Sequence, residues 1–454
     1  MKRFIVVILL LVAVCFVGCD RIESLKKGPV LQGAAGETAT WSFYEETGAL
    51  FIEGTGAIDD LLSANFYEDR RIHQNGDITF TGGFIEKITR VVIEDGITAI
   101  GNGAFAMCVA VKRIDIPDSV TVIGNAAFMT CYALKEVELP DSLQMIDAWA
   151  FQKCKSLTEI EIPEGITRLC SNTFVSCYAL EDITLPQSLT VIEDSAFAFC
   201  TALTSIELPP AVTTVGEKAF NGCDRLESIY LPNALTEIAA TAFRNCPLLD
   251  PVNIGLSEEH SRYRRIDGSI VDITTGSVFY GSRDGRIPED PSVTAIGAYA
   301  YENVMALTEL VIPERITSLG DYAFSHCGSL TKVMIPGTVK TMGEEVFSLC
   351  ESLADVTVSA GVPMIGSHAF HSCEALTAIS LPSSVKSIDV GAFYNCSSLT
   401  EVHLSDGLEK IQDYAFSYCS ALKRIEIPES VTSLAKNVFY CNDETEVILP
   451  DHLK

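Results

Sequence analysis

One period dominates the sequence, because from Phe105 onward the chain repeats itself every 23 residues. Phe recurs at Phe105, Phe128, Phe151, Phe174, Phe197, Phe220 and Phe243, and again at Phe324, Phe347, Phe370, Phe393, Phe416 and Phe439. Cys follows three residues later, at Cys108, Cys131, Cys154, Cys177, Cys200, Cys223, Cys246, Cys327, Cys350, Cys373, Cys396 and Cys419, while Cys441 comes one residue early. Pro recurs at Pro117, Pro140, Pro163, Pro186, Pro209 and Pro232. Several residue types that keep one spacing over so many units indicate a solenoid.

One repeat, which we call a coil, can be interpreted from the stretch between Leu134 and Cys154. Leu134-Lys-Glu-Val-Glu-Leu-Pro140 alternates apolar and polar residues, which predicts a short strand that Pro140 ends because proline lacks a backbone N–H. A second extended piece follows, and then Phe151 and Cys154 share one face of a predicted helical turn. A single coil cannot bury its apolar face, so stacking must supply the core.

The resulting pattern, LxxIxIPxxVTxIGxxAFxxC, closely resembles the BspA-like leucine-rich repeat of bacterial surface proteins, over about residues 84–450. The resemblance implies an α+β repeat solenoid, a leucine-rich repeat superhelix of about 15 coils with a parallel β-sheet on its concave face. Residues 39–56 resemble the N-terminal β cap of that family, with a hairpin turning near Thr47-Gly48, and Asn75-Gly76 predicts another tight turn.

The same reasoning predicts six segments along the chain. They are a signal peptide (1–18), a tether (19–34), an N-terminal β cap (35–83), a first repeat array (84–246), a β-hairpin insertion (247–291) and a second repeat array (292–454). The insertion is predicted from two β-like runs, Tyr263–Asp272 and Gly276–Tyr280, joined by a turn.

The first residues are typical of an export signal. The apolar run from Phe4 to Val17 has 14 residues, fewer than the roughly 20 that cross a bilayer. Phe16-Val17-Gly18-Cys19 resembles the lipobox of bacterial lipoproteins, although Phe16 departs from the usual Leu. The resemblance implies that Cys19 carries the lipid, and simple secretion with cleavage nearby is the alternative. We therefore expect an exported protein that is lipid-anchored in the cell envelope, on its outer surface.

The cysteine column allows three interpretations: disulfides, a metal site or buried thiols. Stacked side chains point in parallel, which separates neighbouring Cβ atoms by more than the disulfide mean of about 3.8 Å. No His column and no CxxC pair accompany the column, so the usual zinc ligand spacing is missing. A ladder of buried thiols is the favoured interpretation. Cys170 stands outside the column, as either a reactive thiol or a tolerated substitution.

No catalytic constellation emerges from the sequence. His368 and His371 form an HxxH pair, but the pattern is not HExxH and neighbouring coils do not repeat it. GxSxG and GxxxxGK[ST] motifs are absent, as is a GxGxxG that opens a helix. We therefore expect a non-enzymatic protein without a metal or other cofactor.

A charged surface is the feature that points to binding. The formal charge of −28 argues against nucleic-acid partners, which need clustered Lys and Arg. The residues that flank the middle apolar position of each strand should face one side of the solenoid. In the first array the candidate ligand-binding residues are Arg113, Asp115, Glu136, Glu138, Glu159, Glu161, Asp182, Glu207 and Tyr230. Their carboxylates form either a solvated face or a site for a basic protein or divalent cations.

The resemblance implies a binding protein or adhesin that recognises host matrix proteins, host cells or other bacteria, through a protein or glycan partner. The membrane would be contacted through the lipid anchor only. An alternative from another class is a structural envelope scaffold that self-associates along its C-terminal edge.

Overall fold

The structure is a computed structural model that describes residues 22–28, 30–60, 66, 69–72, 78–81, 83–440 and 444–454. The predicted signal peptide, the lipobox with Cys19, the Asn75-Gly76 turn and Cys441 lie outside these described residues. The chain divides into two compact units between Leu248 and Leu249, and each unit is described by itself below.

The N-terminal cap is a β-meander that continues into the first coils. Its six strands are β1 (Val30–Ala34), β2 (Ala39–Tyr44), β3 (Ala49–Gly54), β4 (Gly56–Ala57), β5 (Asp69–Ile72) and β6 (Ile78–Thr81). Strands β1, β2 and β3 pair antiparallel, and Gly48 has a positive φ of 67° between β2 and β3, which confirms the predicted hairpin turn. β5 and β6 also pair antiparallel, on either side of the undescribed turn.

The predicted tether, residues 19–34, is partly folded against the cap. Ile22 packs against an apolar cluster of the cap, and residues 30–34 form β1. The ammonium of Lys26 lies 3.1 Å from Glu53 Oε1 and 3.1 Å from Glu94 Oε1. Folded structure therefore begins earlier in the chain than residue 35, where we predicted the cap to start.

Two rows of parallel strands run along the first unit. The longer row consists of β7 (Arg90–Ile93), β9 (Arg113–Asp115), β11 (Glu136–Glu138), β13 (Glu159–Glu161), β15 (Asp182–Thr184), β17 (Ser205–Glu207) and β19 (Ser228–Tyr230). The shorter row consists of β8 (Ile97–Ile100), β10 (Val122–Ile123), β12 (Met145–Ile146), β14 (Arg168–Leu169), β16 (Val191–Ile192), β18 (Thr214–Val215) and β20 (Glu237–Ile238). β3 of the cap pairs parallel with β7, so the cap covers the first edge of the longer row.

The third side of each coil is a chain of tight turns in which a helical turn was expected. The amides of Phe128 and Thr130 donate to carbonyl oxygens of the next coil, while the amide of Cys131 donates to Phe128 O within its own coil. Ala126 and Thr130 have positive φ values of 54° and 68°. Because these residues have a left-handed backbone conformation, successive amide groups point alternately to the next coil and back into their own coil. Hydrogen bonds between coils therefore replace those of a helix.

The core consists of one aromatic column and one thiol column. In the first unit the rings of Phe105 and Phe128 are stacked with centroids 5.8 Å apart, and the column continues to Phe243 at spacings of 5.3–5.7 Å. The repeat cysteines are buried and free among the described residues. The thiol of Cys131 donates to Phe105 O at 3.3 Å, and equivalent bonds recur along both units. These thiols are therefore hydrogen-bonding groups as well as small apolar ones.

The second unit begins with the insertion, which has one strand more than the predicted hairpin. After β21 (Ile254–Gly255), the strands β22 (Tyr263–Ile266), β23 (Ser269–Asp272) and β24 (Ser277–Tyr280) form an antiparallel meander. The run Tyr263–Asp272 is itself a hairpin, because Asp267 and Gly268 have positive φ values of 46° and 81° and form a tight turn.

The coils of the second unit repeat the same two rows. The shorter row is β25 (Ala295–Ile296), β27 (Ser318–Leu319), β29 (Thr341–Met342), β31 (Met364–Ile365), β33 (Ser387–Ile388), β35 (Lys410–Ile411) and β37 (Ser433–Leu434). The longer row is β26 (Glu309–Val311), β28 (Lys332–Ile335), β30 (Asp355–Val358), β32 (Ala378–Leu381), β34 (Glu401–Leu404), β36 (Arg424–Glu426) and β38 (Glu446–Ile448). β24 pairs parallel with β25, which joins the meander to the coils. Tyr301 occupies the first Phe position, and its hydroxyl donates to Arg286 O at 2.9 Å.

Helix is scarce in this solenoid of about 15 coils. Among the described residues it is confined to residues 22–23, to the 3₁₀ residue Phe66 and to three single-turn 3₁₀ helices, Ile85–Lys87, Pro251–Asn253 and Asp451–Leu453. Within the described part of the chain we find no helix that is long and apolar enough to cross a membrane. The repeat solenoid predicted from the sequence is confirmed, with turns where helical segments were expected.

Candidate functional site

The predicted binding residues all lie on the outward surface of the longer strands in the first unit, which we call the strand face. In β11, Val137 is buried while Glu136 and Glu138 are exposed, as strand alternation requires. Parallel register places Glu136 beside Arg113 and Glu138 beside Asp115. The fold therefore converts one sequence position per coil into a continuous row of side chains.

An ion-pair cluster occupies the end of the strand face nearest the cap. Arg113 Nε lies 2.7 Å from Asp115 Oδ1, and its two terminal nitrogens lie 2.9 Å from Glu136 Oε2 and 3.0 Å from Glu138 Oε1. The hydrogen bond to Asp115 raises the pKa of Arg113 above its usual value. Arg90, which we did not predict, lies 2.6 Å from the second carboxylate oxygen of Asp115. The carboxylates at this end are therefore largely compensated.

The next coils carry carboxylates without such compensation. Glu159, Glu161 and Asp182 are exposed, and in the described part of the chain no Lys, Arg or His side chain pairs with them within 4 Å. Register places Glu159 directly beside Asp182. We call Glu159, Glu161 and Asp182 the acidic triad. It is the densest uncompensated part of the strand face, on which Glu207 of β17 is also exposed and has no basic partner within 4 Å among the described residues.

A groove of about 600 Å³ runs over the same coils. Its walls include the acidic triad together with Glu136, Glu138 and Asp141, and Lys135 is its one basic lining residue among those described. Val137 and Ile160 contribute apolar floor. The groove can accommodate an extended cationic segment, because carboxylates flank a strip that an aliphatic stem can cover.

Four of the predicted residues do not line this groove: Arg113 and Asp115 on the side of the cap, and Glu207 and Tyr230 on the other side. Glu207 and Tyr230 are neighbours in register on β17 and β19, and neither lines the groove. Tyr230 is exposed. The nine predicted residues thus separate into a compensated cluster, the acidic triad in its groove and a distal Glu–Tyr pair.

Metal binding at these carboxylates gains no support. Across the residues that the structure describes, no group of three or more His, Cys, Asp or Glu side chains is arranged to hold a metal ion. The same holds for the HxxH pair: the ring centroids of His368 and His371 are 5.7 Å apart, and no third ligand joins them.

The fold makes the cysteine thiols unreactive. Burial raises the pKa of the Cys131 thiol to about 12, so it carries little of the reactive thiolate at neutral pH. Cys170, outside the ladder, is only half-buried, but burial followed by the charges of Glu193 and Asp147 raises its pKa to about 11. A raised pKa is the opposite of what activates a nucleophilic cysteine, so Cys170 fits a tolerated substitution better than a reactive thiol.

This architecture defines a leucine-rich repeat protein. The family model described as the BspA type leucine rich repeat region, with six copies, matches residues 76–201, 121–250, 276–383 and 363–454. These matches cover well over half of the chain. The chain therefore belongs to the BspA-type leucine-rich repeat family, as its repeat pattern predicted.

Solved structures include similar repeat folds. A leucine-rich repeat protein from Eubacterium ventriosum superposes with a TM-score of 0.54 at 20% identity, covering 93% of this chain and 96% of that one. One from Bacteroides ovatus gives a TM-score of 0.51 at 26% identity, covering 91% and 98%. A leucine rich cell surface protein from Faecalibacterium prausnitzii gives 0.46 at 24% identity, covering 92% and 98%. A search of curated proteins found no significant match.

Proposed function

We propose that this protein is a non-enzymatic binding protein whose acidic triad docks a cationic segment of a protein partner. The observation that carries the proposal is the contrast along one face. Arg113 neutralises the carboxylates of one coil, while the next two coils leave Glu159, Glu161 and Asp182 without a basic partner at 4 Å among the described residues. Three neighbouring negative charges repel one another unless a cation approaches them.

The groove favours an extended segment over a single ion. It spans strands β11, β13 and β15, so a ligand that crosses it meets carboxylates of three successive coils. A chain of Lys or Arg residues supplies a positive charge at each step, and its aliphatic stems can cover Val137 and Ile160. Attraction of this kind accelerates association and weakens as salt is added.

The proposal extends to location. We propose that Cys19 carries a lipid and that the protein is displayed on the outer face of the cell envelope. The packed segment that includes Ile22 supports a short connection, since three residues reach at most about 11 Å. Cells grown with labelled palmitate should incorporate the label into the unaltered protein and not into Cys19→Ala. Absence of label from the unaltered protein would count against the lipid anchor.

Charge reversal tests the binding proposal. The double variant Glu159→Lys and Glu161→Lys should lower affinity for an oligolysine peptide, and for any immobilised extracellular-matrix protein that binds the unaltered chain, by about tenfold or more. The matched control is Glu309→Lys, which reverses the equivalent position of β26 in the second unit. Biosensor titrations at several salt concentrations measure both affinities. Unchanged affinity and unchanged salt dependence in the double variant would overturn the proposal.

A further inference from the structure

A line of aromatic side chains crosses the turn side of four successive coils in the second unit. Each coil contributes one ring to this line, and the four rings in order are those of His371, Tyr394, Tyr418 and Tyr440. Successive ring centroids lie 5.4, 5.1 and 5.9 Å apart. His368 lies 5.7 Å from His371, and Tyr414 lies 6.2 Å from Tyr440. We call these six residues the aromatic strip.

The aromatic strip is separate from the aromatic column of the core. The interior rings, such as Phe370 and Phe393, are fully buried and nearly parallel, with planes inclined by 8°. Neighbouring rings of the line are inclined by 52–67°. Tyr418 and Tyr440 keep 39% and 52% of their surface exposed. Tyr414, Tyr418 and Tyr440 therefore lie outside the core, while His368, His371 and Tyr394 are half-buried at its edge.

The backbone also gives no reason for aromatic residues at these positions. His368, Tyr414 and Tyr418 have positive φ values of 51°, 60° and 59°. The equivalent positions of the coil between them carry Gly391 and Asn395, which adopt this conformation at lower cost. A bulky residue in a left-handed conformation is energetically unfavourable. Exposed aromatic rings at positions with an unfavourable backbone conformation indicate a role other than folding.

The aromatic strip itself carries no carboxylate, but two carboxylates of this chain of net charge −28 lie beside it: Glu374 Oε1 is 3.4 Å from Asn395 Nδ2, and Glu345 lies near His371. The residues beside the rings in the same turns are Ser372, Asn395 and Ser417, and none of the positions 371–372, 394–395 and 417–418 is Asp, Glu, Lys or Arg. Asn395 Nδ2 lies 3.0 Å from Ser372 Oγ, and Ser348 Oγ lies 3.3 Å from His371 Nδ1. Ser372 and Ser417 are buried, so the polar groups beside the ring faces that a ligand can reach are the Asn395 amide, the imidazoles and the tyrosine hydroxyls.

We propose that the aromatic strip binds a neutral glycan chain. A glycan is a line of rigid rings whose C–H faces pack on aromatic rings and whose hydroxyl groups bond to Asn, His and Tyr side chains. The regular spacing of one ring per coil matches a ligand that is itself a linear repeat. Those positions offer no Lys or Arg to an anionic glycan, and the carboxylates of Glu345 and Glu374 beside the strip repel one. This site is independent of the acidic triad.

The test uses the full chain and linear neutral hexasaccharides of glucose, mannose, xylose and N-acetylglucosamine as probes. Saturation-transfer NMR and tyrosine fluorescence measure binding of each probe, and hyaluronan oligosaccharides serve as the anionic comparison. We expect at least one neutral hexasaccharide to bind, with an affinity that hardly depends on salt. The proposal is overturned if no neutral probe binds, or if only the anionic probe or a protein binds to the aromatic strip.

Two substitutions locate the site without weakening the fold. Tyr418→Asn installs the residue found at the equivalent position Asn395, and should lower glycan affinity by about tenfold while leaving the thermal midpoint unchanged or higher. Tyr418→Phe keeps the ring and should retain most of the affinity. The matched controls are Tyr132→Ala and Tyr178→Ala, two exposed tyrosines of the first unit. Equal affinity in Tyr418→Asn and the unaltered chain would place any glycan binding elsewhere and refute the assignment.

Discussion

The thiol of Cys154 donates a hydrogen bond to the carbonyl oxygen of Phe128, 3.4 Å away and 26 residues earlier in the chain. The same bond recurs in nearly every coil, for example from Cys396 to Phe370 at 3.2 Å. It gives the repeat cysteine a role that neither alanine nor valine can fill, because those residues have no donor for the carbonyl of the preceding coil.

Removing one ladder thiol should therefore cost more than its small volume suggests. We expect Cys154→Ala to lower the free energy of unfolding by about 1–2 kcal/mol, from a small cavity and a lost hydrogen bond. Cys170→Ala, at a half-buried position outside the ladder, should change it by less than about 0.5 kcal/mol. Denaturant titrations of both variants measure the difference. Equal losses in the two variants would show that the ladder bond contributes nothing.

Alkaline pH should destabilise the protein through the same thiols. Burial raises the pKa of Cys131, Cys177 and Cys419 to about 12, whereas an unfolded thiol ionises near pH 9. Above pH 9 the unfolded chain loses protons that the folded chain retains, so stability is complete below that pH and is lost as pH rises toward 12. Each thiol contributes a slope of at most about 1.4 kcal/mol per pH unit.

Thermal midpoints measured in reductant between pH 7 and 11 follow this loss. A variant in which Cys131, Cys154 and Cys177 are all Ala should show a shallower decline above pH 9. A decline of the same slope in both proteins would assign the alkaline loss to other groups.

Neutralising Arg113 should enlarge the acidic surface. Arg113→Gln releases Glu136 and Glu138 from their ion pairs, so affinity for an oligolysine peptide should rise by about two- to fivefold at low salt. Lys332→Gln, which frees Asp355 on the second unit, is the matched control and should leave the affinity unchanged. A fall in affinity on replacing Arg113 would contradict the proposed direction of the charge effect.

Glycine should be more stable than alanine at a position with a positive backbone φ. Ala126 has a φ of 54°, so Ala126→Gly should raise the free energy of unfolding by about 0.5–1 kcal/mol. The neighbouring Ala127 is fully buried, and Ala127→Gly should destabilise the protein by about 1 kcal/mol or more, through a lost methyl group and greater chain entropy. Urea titrations of the pair test the sign. Destabilisation by both substitutions would refute the strain at Ala126.

Low pH should destabilise the insertion around Asp272. This carboxylate is nearly buried and accepts hydrogen bonds from Thr274 and Arg262, which outweigh burial and lower its pKa. The stabilisation is complete above the usual carboxyl pKa near pH 4 and is lost as pH falls through the lowered value. Asp272→Asn should remove that acid dependence and cost about 1–3 kcal/mol at pH 7. Hydrogen exchange of β22 and β23 measures this, with Glu259→Gln as an exposed control.

The sequence predicted the strands, the stacked core and the outward carboxylates, because each depends on local alternation and on a fixed period. Val137 between Glu136 and Glu138 is sufficient to place both glutamates on one face. Arg90, the second basic partner of Asp115, was missed. It lies one coil before the first strand of the predicted binding surface, and only the parallel register brings it beside Asp115.

Other features required the three-dimensional contacts. Ala126 and Thr130 give no sequence signal for positive φ, since neither is Gly or Asn, and hydrogen bonds to the next coil impose the conformation. The additional strand of the insertion could have been predicted, because Asp267-Gly268 is a strong hairpin signal between two β-like runs. The regular line of the aromatic strip becomes visible only once the coils are stacked.

The hydrogen bonds between coils also determine how each unit responds to pulling. They run along the stacking direction, and the described cysteines form no disulfide that would tie one coil to another. A force along that direction loads the bonds of the terminal coil first, so coils detach one at a time. Each detachment frees 23 residues, or about 75 Å of extended chain. A protein built in this way lengthens in small steps under load and absorbs mechanical work at each one.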